Sequence, residues 1–268
     1  MARLKGPIQF VGSLGNIKSV YNKRLKHYVL STKGGASKEL IMNSPAFIRT
    51  RENMKEFSGC GLFASQVRKS LVSLMHLKSG DYYPGIVKLA KSIQLTDEEH
   101  LKGMRSIEVS NLPTLLLNLN FNSYHRFDNV LHDWPLITFS NDKKTVTLRL
   151  TEFKSSYRLH WVSRFDSYRF AMVIAQLPDF YYSFSDASYV PVLPDLEQLS
   201  VTTYSEWFPN TIEPRDITME ASFAHPALQQ PGTTVIVAMG IEISSILLKP
   251  TDSYTSNQGT MKIVDCFV

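Results

Sequence analysis

Between Ile8 and Leu30, short apolar or β-branched runs alternate with turn-formers. The runs are Ile8-Gln9-Phe10-Val11, Ile17 to Tyr21 and His27-Tyr28-Val29-Leu30, set among Gly6, Gly12, Gly15, Gly34 and Gly35. Apolar residues two apart, as Ile8 and Phe10 are, place one face of a strand toward a core. The polar run Asn22-Lys23-Arg24-Leu25-Lys26 predicts a hairpin connection between Val20-Tyr21 and Tyr28-Val29. Residues 6–31 therefore read as two or three short strands or an extended arm. A unit this small buries little apolar surface alone, so it needs the rest of the chain, or another subunit, to pack on.

The period then changes to that of helices. Ser44-Pro45 sets a capping hydroxyl before a proline at the first helical position, and a helix over Ala46 to Phe57 follows. Gly59-Cys60-Gly61 is expected to break it. From Leu62, residues Phe63, Val67, Leu71, Leu74 and Met75 recur at spacings of three and four, the stripe of an amphipathic helix that Gly80 ends. Tyr83-Pro84 opens a third helix, with Ile86, Val87, Leu89, Ala90 and Ile93 on its apolar side. Thr96-Asp97-Glu98-Glu99 has the form of a capping box for a last turn or two toward Met104.

After Pro113 the texture is that of strands. Leu115 to Phe121 alternates in its second half. Leu136-Ile137-Thr138-Phe139 and Thr145 to Leu150 flank the turn Asn141-Asp142-Lys143-Lys144. Further runs follow at Tyr157 to Ser163, Tyr168 to Ala175, Gln198 to Tyr204, Ile217 to Phe223, Thr234 to Ser244 and Thr260 to Val268. Short strands at such intervals indicate a β-sandwich-like domain. The fold class expected is α+β: a basic Gly-rich β arm (1–44), a helical segment (45–110) and an all-β domain (111–268).

Composition sharpens this picture in two ways. Of the 268 residues 43% are hydrophobic, which is ordinary globular usage, and the 11% that are aromatic lie mostly after residue 120, as a β core would have them. Charge is uneven. Residues 1–105 hold 18 Lys/Arg against 7 Asp/Glu, and the remainder holds 11 against 17. The two parts should attract, within one chain or between neighbours. No apolar h-region follows the charged start and no window of 18 apolar residues occurs. A secretory leader and a membrane span are therefore not expected, and the cytoplasm is the expected location, with incorporation into a particle open.

Chemistry-bearing patterns are few. Gly59-Cys60-Gly61-Leu62-Phe63-Ala64 has the G-x-G-x-x-A spacing of a dinucleotide fingerprint but lacks the preceding strand and the βαβ unit, so a helix–helix corner is preferred. The seven histidines form no close ligand pair. His125 and His132, which bracket Asp128 and share a loop with Asp133, come nearest to a metal cluster, and solvated loop residues are the commoner case. Cys60 and Cys266 support neither a disulfide framework nor a zinc site and read as core thiols. Asp166, Asp179, Asp186 and Asp195 read as turn residues rather than acid–base pairs. No catalytic residue, cofactor or metal is expected.

Lys5-Gly6-Pro7-Ile8, Gly12-Ser13-Leu14-Gly15-Asn16, Tyr21, Lys33-Gly34-Gly35 and Arg49-Thr50-Arg51-Glu52-Asn53 with Glu56-Phe57 resemble the opening of a group of uncharacterised Bacteroidota proteins. In these a G-x-L-G-N strand pair leads into an R-x-R-E-N-x-x-E-F helix. Pro231 to Glu242 is similar to their final β-domain. The run Tyr21 to Lys26 departs from the N-G-K hairpin turn usual there. The resemblance implies a bacterial origin and a shared N-terminal unit with some likeness to phage-derived structural components, and it transfers no catalytic residues.

Two readings follow. The first is a non-enzymatic subunit of a cytoplasmically assembled particle, tube or filament. It is a homo-oligomer or pairs with other assembly subunits, its arm lying on a neighbour through Ile8, Phe10, Ile17, Tyr21, Tyr28 and Val29. The second is a nucleic-acid-associated protein using Lys23, Arg24, Lys26, Lys33 and Lys38 beside Tyr21 and Tyr28. An enzyme with the His125–Asp133 loop as its site ranks third.

Overall fold

The computed structural model describes residues 2–3, 6, 9–32, 34–162, 164–193, 200–211, 213–227, 231–244 and 259–268. The fold is α+β, with several antiparallel sheets and, among the described residues, no closed barrel. The chain separates into two compact units, Met1–Arg51 and Glu52–Val268.

The first unit carries β1 (Ala2–Arg3), β2 (Gly12–Leu14), β3 (Ile17–Asn22) and β4 (His27–Thr32), paired in the order β1-β4-β3-β2. The β3–β4 hairpin is in register through Tyr21↔Tyr28 and Asn22↔His27. Its turn is closed by Asn22, whose Oδ1 accepts the Leu25 N–H at 3.0 Å, while Lys26 takes a φ of +53°. A side-chain oxygen bonded to the backbone of its own turn does here what an Asn-Gly pair does elsewhere. Helix α1 (Lys38–Asn43) follows, capped by the Ser37 hydroxyl, and a 3-10 turn (Pro45–Phe47) capped by Ser44 leads into α2 (Ile48–Ser70). The Arg51 guanidinium donates to the carbonyls of Ile41 (2.7 Å) and Ser44 (2.8 Å) and fastens this corner.

The second unit is layered about one sheet. Its strands are β5 (Leu136–Phe139), β6 (Thr145–Phe153), β7 (Ser167–Pro178), β8 (Phe180–Ser183), β9 (Ser188–Pro191), β10 (Ser200–Tyr204), β11 (Phe208–Pro209), β12 (Arg215–Ser222), β13 (Thr233–Ser244) and β14 (Gly259–Phe267). The central sheet runs β10-β7-β13-β14, with β11 also on β7. β7 and β13 pair along twelve residues, from Thr233↔Pro178 to Ser244↔Ser167. Both are buried on both faces, which is why they read as continuous apolar runs.

One face, bearing Ala171, Val173, Ala175, Ile236 and Ala238, meets Phe63 and Val67 of α2, Leu71 just past its end, and Ile86 and Ile93 of α3 (Tyr83–Gln94). The small residues let the helical layer approach. A Cβ at Gly240 would stand 2.7 Å from a Leu77 methyl. The other face, with Phe170, Met172, Val235 and Val237, packs on Val146, Leu148 and Leu150 of β6 and Ile217 and Met219 of β12. β12-β6-β5 form a second sheet whose alternating burial marks it as covered on one side. β8 and β9 form a separate hairpin.

Four local expectations are corrected. α2 does not break at Gly59-Cys60-Gly61 but runs through it, because a glycine in a helix interior costs only about 1 kcal/mol. Gly59 is where the Tyr189 ring crosses the helix, and a Cβ there would lie 2.7 Å from Tyr189 Cγ. No helix forms over 96–104, where Asp97 Oδ1 accepts the N–H groups of Glu99 and His100 and closes a local turn. Leu115 to Phe121 is not a strand: Pro113 opens a 3-10 turn (Pro113–Asn118) that buries Leu116. Ser155–Arg158 is a helical turn rather than the start of a strand over 157–163, pinned where Ser155 Oγ meets Asn210 Oδ1 (2.8 Å) and the Thr211 carbonyl (3.0 Å). Among the described residues no helix is long and apolar enough to cross a membrane.

Candidate functional site

In the first unit alternation sorts the side chains. The register puts Leu14, Ile17, Tyr21, Tyr28 and Leu30 on one face and Lys18, Val20, Val29 and Ser31 on the other. Tyr21 and Tyr28 meet edge to face, with ring centroids 5.1 Å apart. On this face Ser19 is fully buried and Tyr28 and Leu30 are half-buried, while Ile17 and Tyr21 remain 45% and 43% exposed and Leu14 71%, so the face is open at its outer apolar positions. Lys23, Arg24 and Lys26 are exposed in the hairpin turn, and Lys38 begins α1. Of the expected contact residues, Ile17, Tyr21 and Tyr28 thus come together and Val29 lies on the opposite face. Phe10 precedes β2, and Ile8 and Lys33 lie outside the described residues. In total Met1–Arg51 holds ten Lys/Arg and one acidic residue, Glu39. The face offers apolar contact with three cations, Lys23, Arg24 and Lys26, at its turn end.

The second unit contains polar clusters, and each is consumed by its own structure. Glu56, fully buried on α2, accepts from Arg105 Nε (2.7 Å) and Nη2 (2.8 Å), the Gly103 N–H (2.9 Å) and Lys91 Nζ. Burial pushes its carboxyl up, but the bonds from Arg105, Lys91 and Gly103 outweigh this and hold it at about 2. Gln94 extends the network, accepting from Lys91 and donating to the Arg105 carbonyl and to the Tyr189 hydroxyl, which itself donates to the Arg105 carbonyl at 2.9 Å. Cys60 Sγ lies 3.5 Å from Gln94 Oε1, and burial pushes its thiol up to about 11, far from a reactive thiolate at neutral pH. Sequence reasoning passed over this network. Glu56 sits beside Lys55 as an ordinary helix charge, and Arg105 and Tyr189 are distant in the chain.

Two adjoining cavities of about 340 and 380 Å³ share Ser106, Glu108 and Asn111 and are lined with acid. Burial raises the pKa of Asp179, and burial with the neighbouring Asp179, Asp97 and Glu99 raises that of Glu108. Carboxyl groups with raised pKa in a cleft are a pattern of acid–base sites. Here, however, Asp179 accepts the Ser110 N–H at 3.0 Å and its hydroxyl at 2.5 Å, tying Val109–Asn111 to the β7–β8 junction. Its partner is 69 residues away, so Asp179 is not the local turn residue expected. Asp186 is one, bonded to Ser183. Asp195 lies outside the described residues.

A third cluster joins the 3-10 turn Val72–Leu77 to β13 and β7. His76 Nε2 lies 2.8 Å from Glu242 Oε1, and Arg169 Nε donates to Oε2 at 2.6 Å. The Arg169 guanidinium also sits over the Tyr204 and Trp207 rings. The hydrogen bond to Glu242 raises the His76 pKa, while His76 and Arg169 pull Glu242 down against its burial.

The loop offered for a metal disperses its donors. His125 packs against Trp161 with its ring tilted, His132 stacks on His160, Asp128 pairs with Lys262 at 2.6 Å, and Asp133 faces Arg158 at 3.6 Å. Among the described residues no group of three His, Cys, Asp or Glu side chains converges as metal ligands would. Cys266 is half-buried, with its thiol pushed up to about 12 by burial.

Comparison with known protein families, with curated proteins and with solved structures returns no match, so the chain's own geometry carries the functional reading.

Proposed function

We propose that this chain is a non-enzymatic assembly subunit whose first unit docks through its sheet onto another copy of the chain. One observation carries the reading. Met1–Arg51 has a four-stranded sheet, yet no apolar side chain described in it is buried, while the second unit buries a core on both faces of its central sheet. A sheet that leaves Leu14, Ile17, Tyr21 and Leu25 to solvent gains little from folding alone and gains by being covered. Charge selects the cover: the unit is strongly cationic, and Glu52–Val268 holds 19 Lys/Arg against 23 Asp/Glu.

The test is deletion of residues 1–35. The shortened chain should keep a cooperative unfolding transition and lose assembly by light scattering. Normal assembly without those residues would refute the reading.

A second reading has its own support. Half-exposed Tyr21 beside Lys23, Arg24 and Lys26 suits stacking on single-stranded nucleic acid. Its signature would be affinity for an oligonucleotide that falls steeply with salt and is lost on reversing those three charges, and unchanged affinity in that variant would exclude it.

A further inference from the structure

Resting on the assembly reading, we infer that the contact is heterologous: the first unit of one copy seats on the second unit of the next, head to tail, rather than on the first unit of a partner. The geometry and the charges act together. Paired first units would share the same apolar faces, and would bring ten basic side chains and one acid on each side against the same set. The basic groups are not hidden away from that contact. Lys18 is on the opposite face of β3, but Lys23, Arg24 and Lys26 crown the turn joining β3 to β4 at the edge of the apolar face, all three exposed. Like charges within a Debye length, roughly 8 Å at physiological salt, oppose such a pairing, and the repulsion grows as the surfaces close and exclude water.

Seating on the second unit meets the opposite balance, 19 basic against 23 acidic residues. That unit also presents apolar side chains to solvent, among them Phe57, Leu95 and Leu101 at 65%, 54% and 79% exposure, so apolar area is available on both partners. A contact between two different surfaces leaves a joined pair with one unused donor on one copy and one unused acceptor on the other. It therefore propagates, closing into a ring or extending as a filament, whereas a two-fold contact stops at two.

The experiment uses full-length, nuclease-treated protein and two variants of the hairpin turn, Lys23→Gln/Arg24→Gln/Lys26→Gln and Lys23→Glu/Arg24→Glu/Lys26→Glu. The three side chains are exposed, and circular dichroism checks that each variant is folded. Mass is read by light scattering for each protein alone and for mixtures. Head-to-tail contact predicts that neutralisation weakens assembly and reversal weakens it further. A reversed-charge variant still accepts a wild-type copy but donates nothing, so it terminates chains: at equal proportions there is one terminator for every wild-type copy, and the mean mass should fall to that of about two to three copies. If neutralisation instead tightens assembly, and reversed and wild-type chains form stable one-to-one dimers, the contact is between first units and the inference is wrong. A wild-type chain that is monomeric once nuclease-treated overturns the assembly reading itself, and mass restored by adding an oligonucleotide would point to nucleic acid instead.

Discussion

Glu56 offers the sharpest check on the physical account of the second unit. Its carboxylate is fully buried and receives Arg105 at two atoms, Lys91 and the Gly103 N–H. Glu56→Gln preserves shape but removes the charge and turns an amide NH2 toward two cations. Removing one partner of a buried pair typically costs about 3–5 kcal/mol. Linkage gives an independent figure: lowering the carboxyl from 4.5 to about 2 corresponds to about 3 kcal/mol. Because the folded pKa is the depressed one, this contribution is fully present above 4.5 and is lost as pH falls through about 2. Urea titrations followed by tryptophan fluorescence would measure it, since Trp134, Trp161 and Trp207 all lie in the second unit. At pH 7 the variant should be about 3 kcal/mol less stable, and at pH 3 the gap should shrink to about half. A difference below about 0.5 kcal/mol at pH 7, or a gap that does not change with pH, would refute the reasoning.

Other consequences can be checked on the same unit. Gly59→Ala drives a methyl into the ring of Tyr189, whose hydroxyl is held by Gln94 and Arg105, and should cost about 1–3 kcal/mol by thermal or urea denaturation. His76 has a raised folded pKa, so its bond to Glu242 contributes fully below 6.5 and is lost as pH rises through the folded value. Stability should therefore decline from pH 6 to pH 9 more steeply in wild type than in His76→Gln, by a modest amount because His76 is half exposed. Cys60 and Cys266 should resist iodoacetamide at pH 8 in the native state and react quickly in urea, with the mass shift read by mass spectrometry.

How far the fold was legible depended on the range of the interaction that fixes each element. Phe63, Val67, Leu71 and Leu74 declared a buried stripe by spacing alone, and all four are fully buried, but the helix expected to run on to Gly80 ends at Ser70 and Leu74 lies in the 3-10 turn Val72–Leu77. β7 and β13 were legible because a strand covered on both sides must be apolar throughout. Glycines were the main source of error. Gly59 reads as a helix breaker locally and is instead the clearance for Tyr189, 130 residues away. Leu115 to Leu119 carries apolar residues suited equally to a strand or a 3-10 turn, and Pro113 with the burial of Leu116 selected the turn. Spacing along the helices also could not reveal that they lie on the central sheet as one layer of the same unit. The Glu56 network was illegible for the same reason, since its charges look solvated until the chain brings Arg105 and Tyr189 to them. The exposed cations and tyrosines of the hairpin were visible at once, because a turn and its register are local properties.

The central claim is that the open sheet of Met1–Arg51 is covered by another copy of the chain, and native mass tests it most directly. Full-length, nuclease-treated protein would be measured by light scattering over a range of concentrations, at low and at high salt. The account predicts a mass several times the 30.4 kDa of one chain, rising with concentration and falling as salt screens the opposite charges. A 30.4 kDa monomer at every concentration and both salts would contradict it.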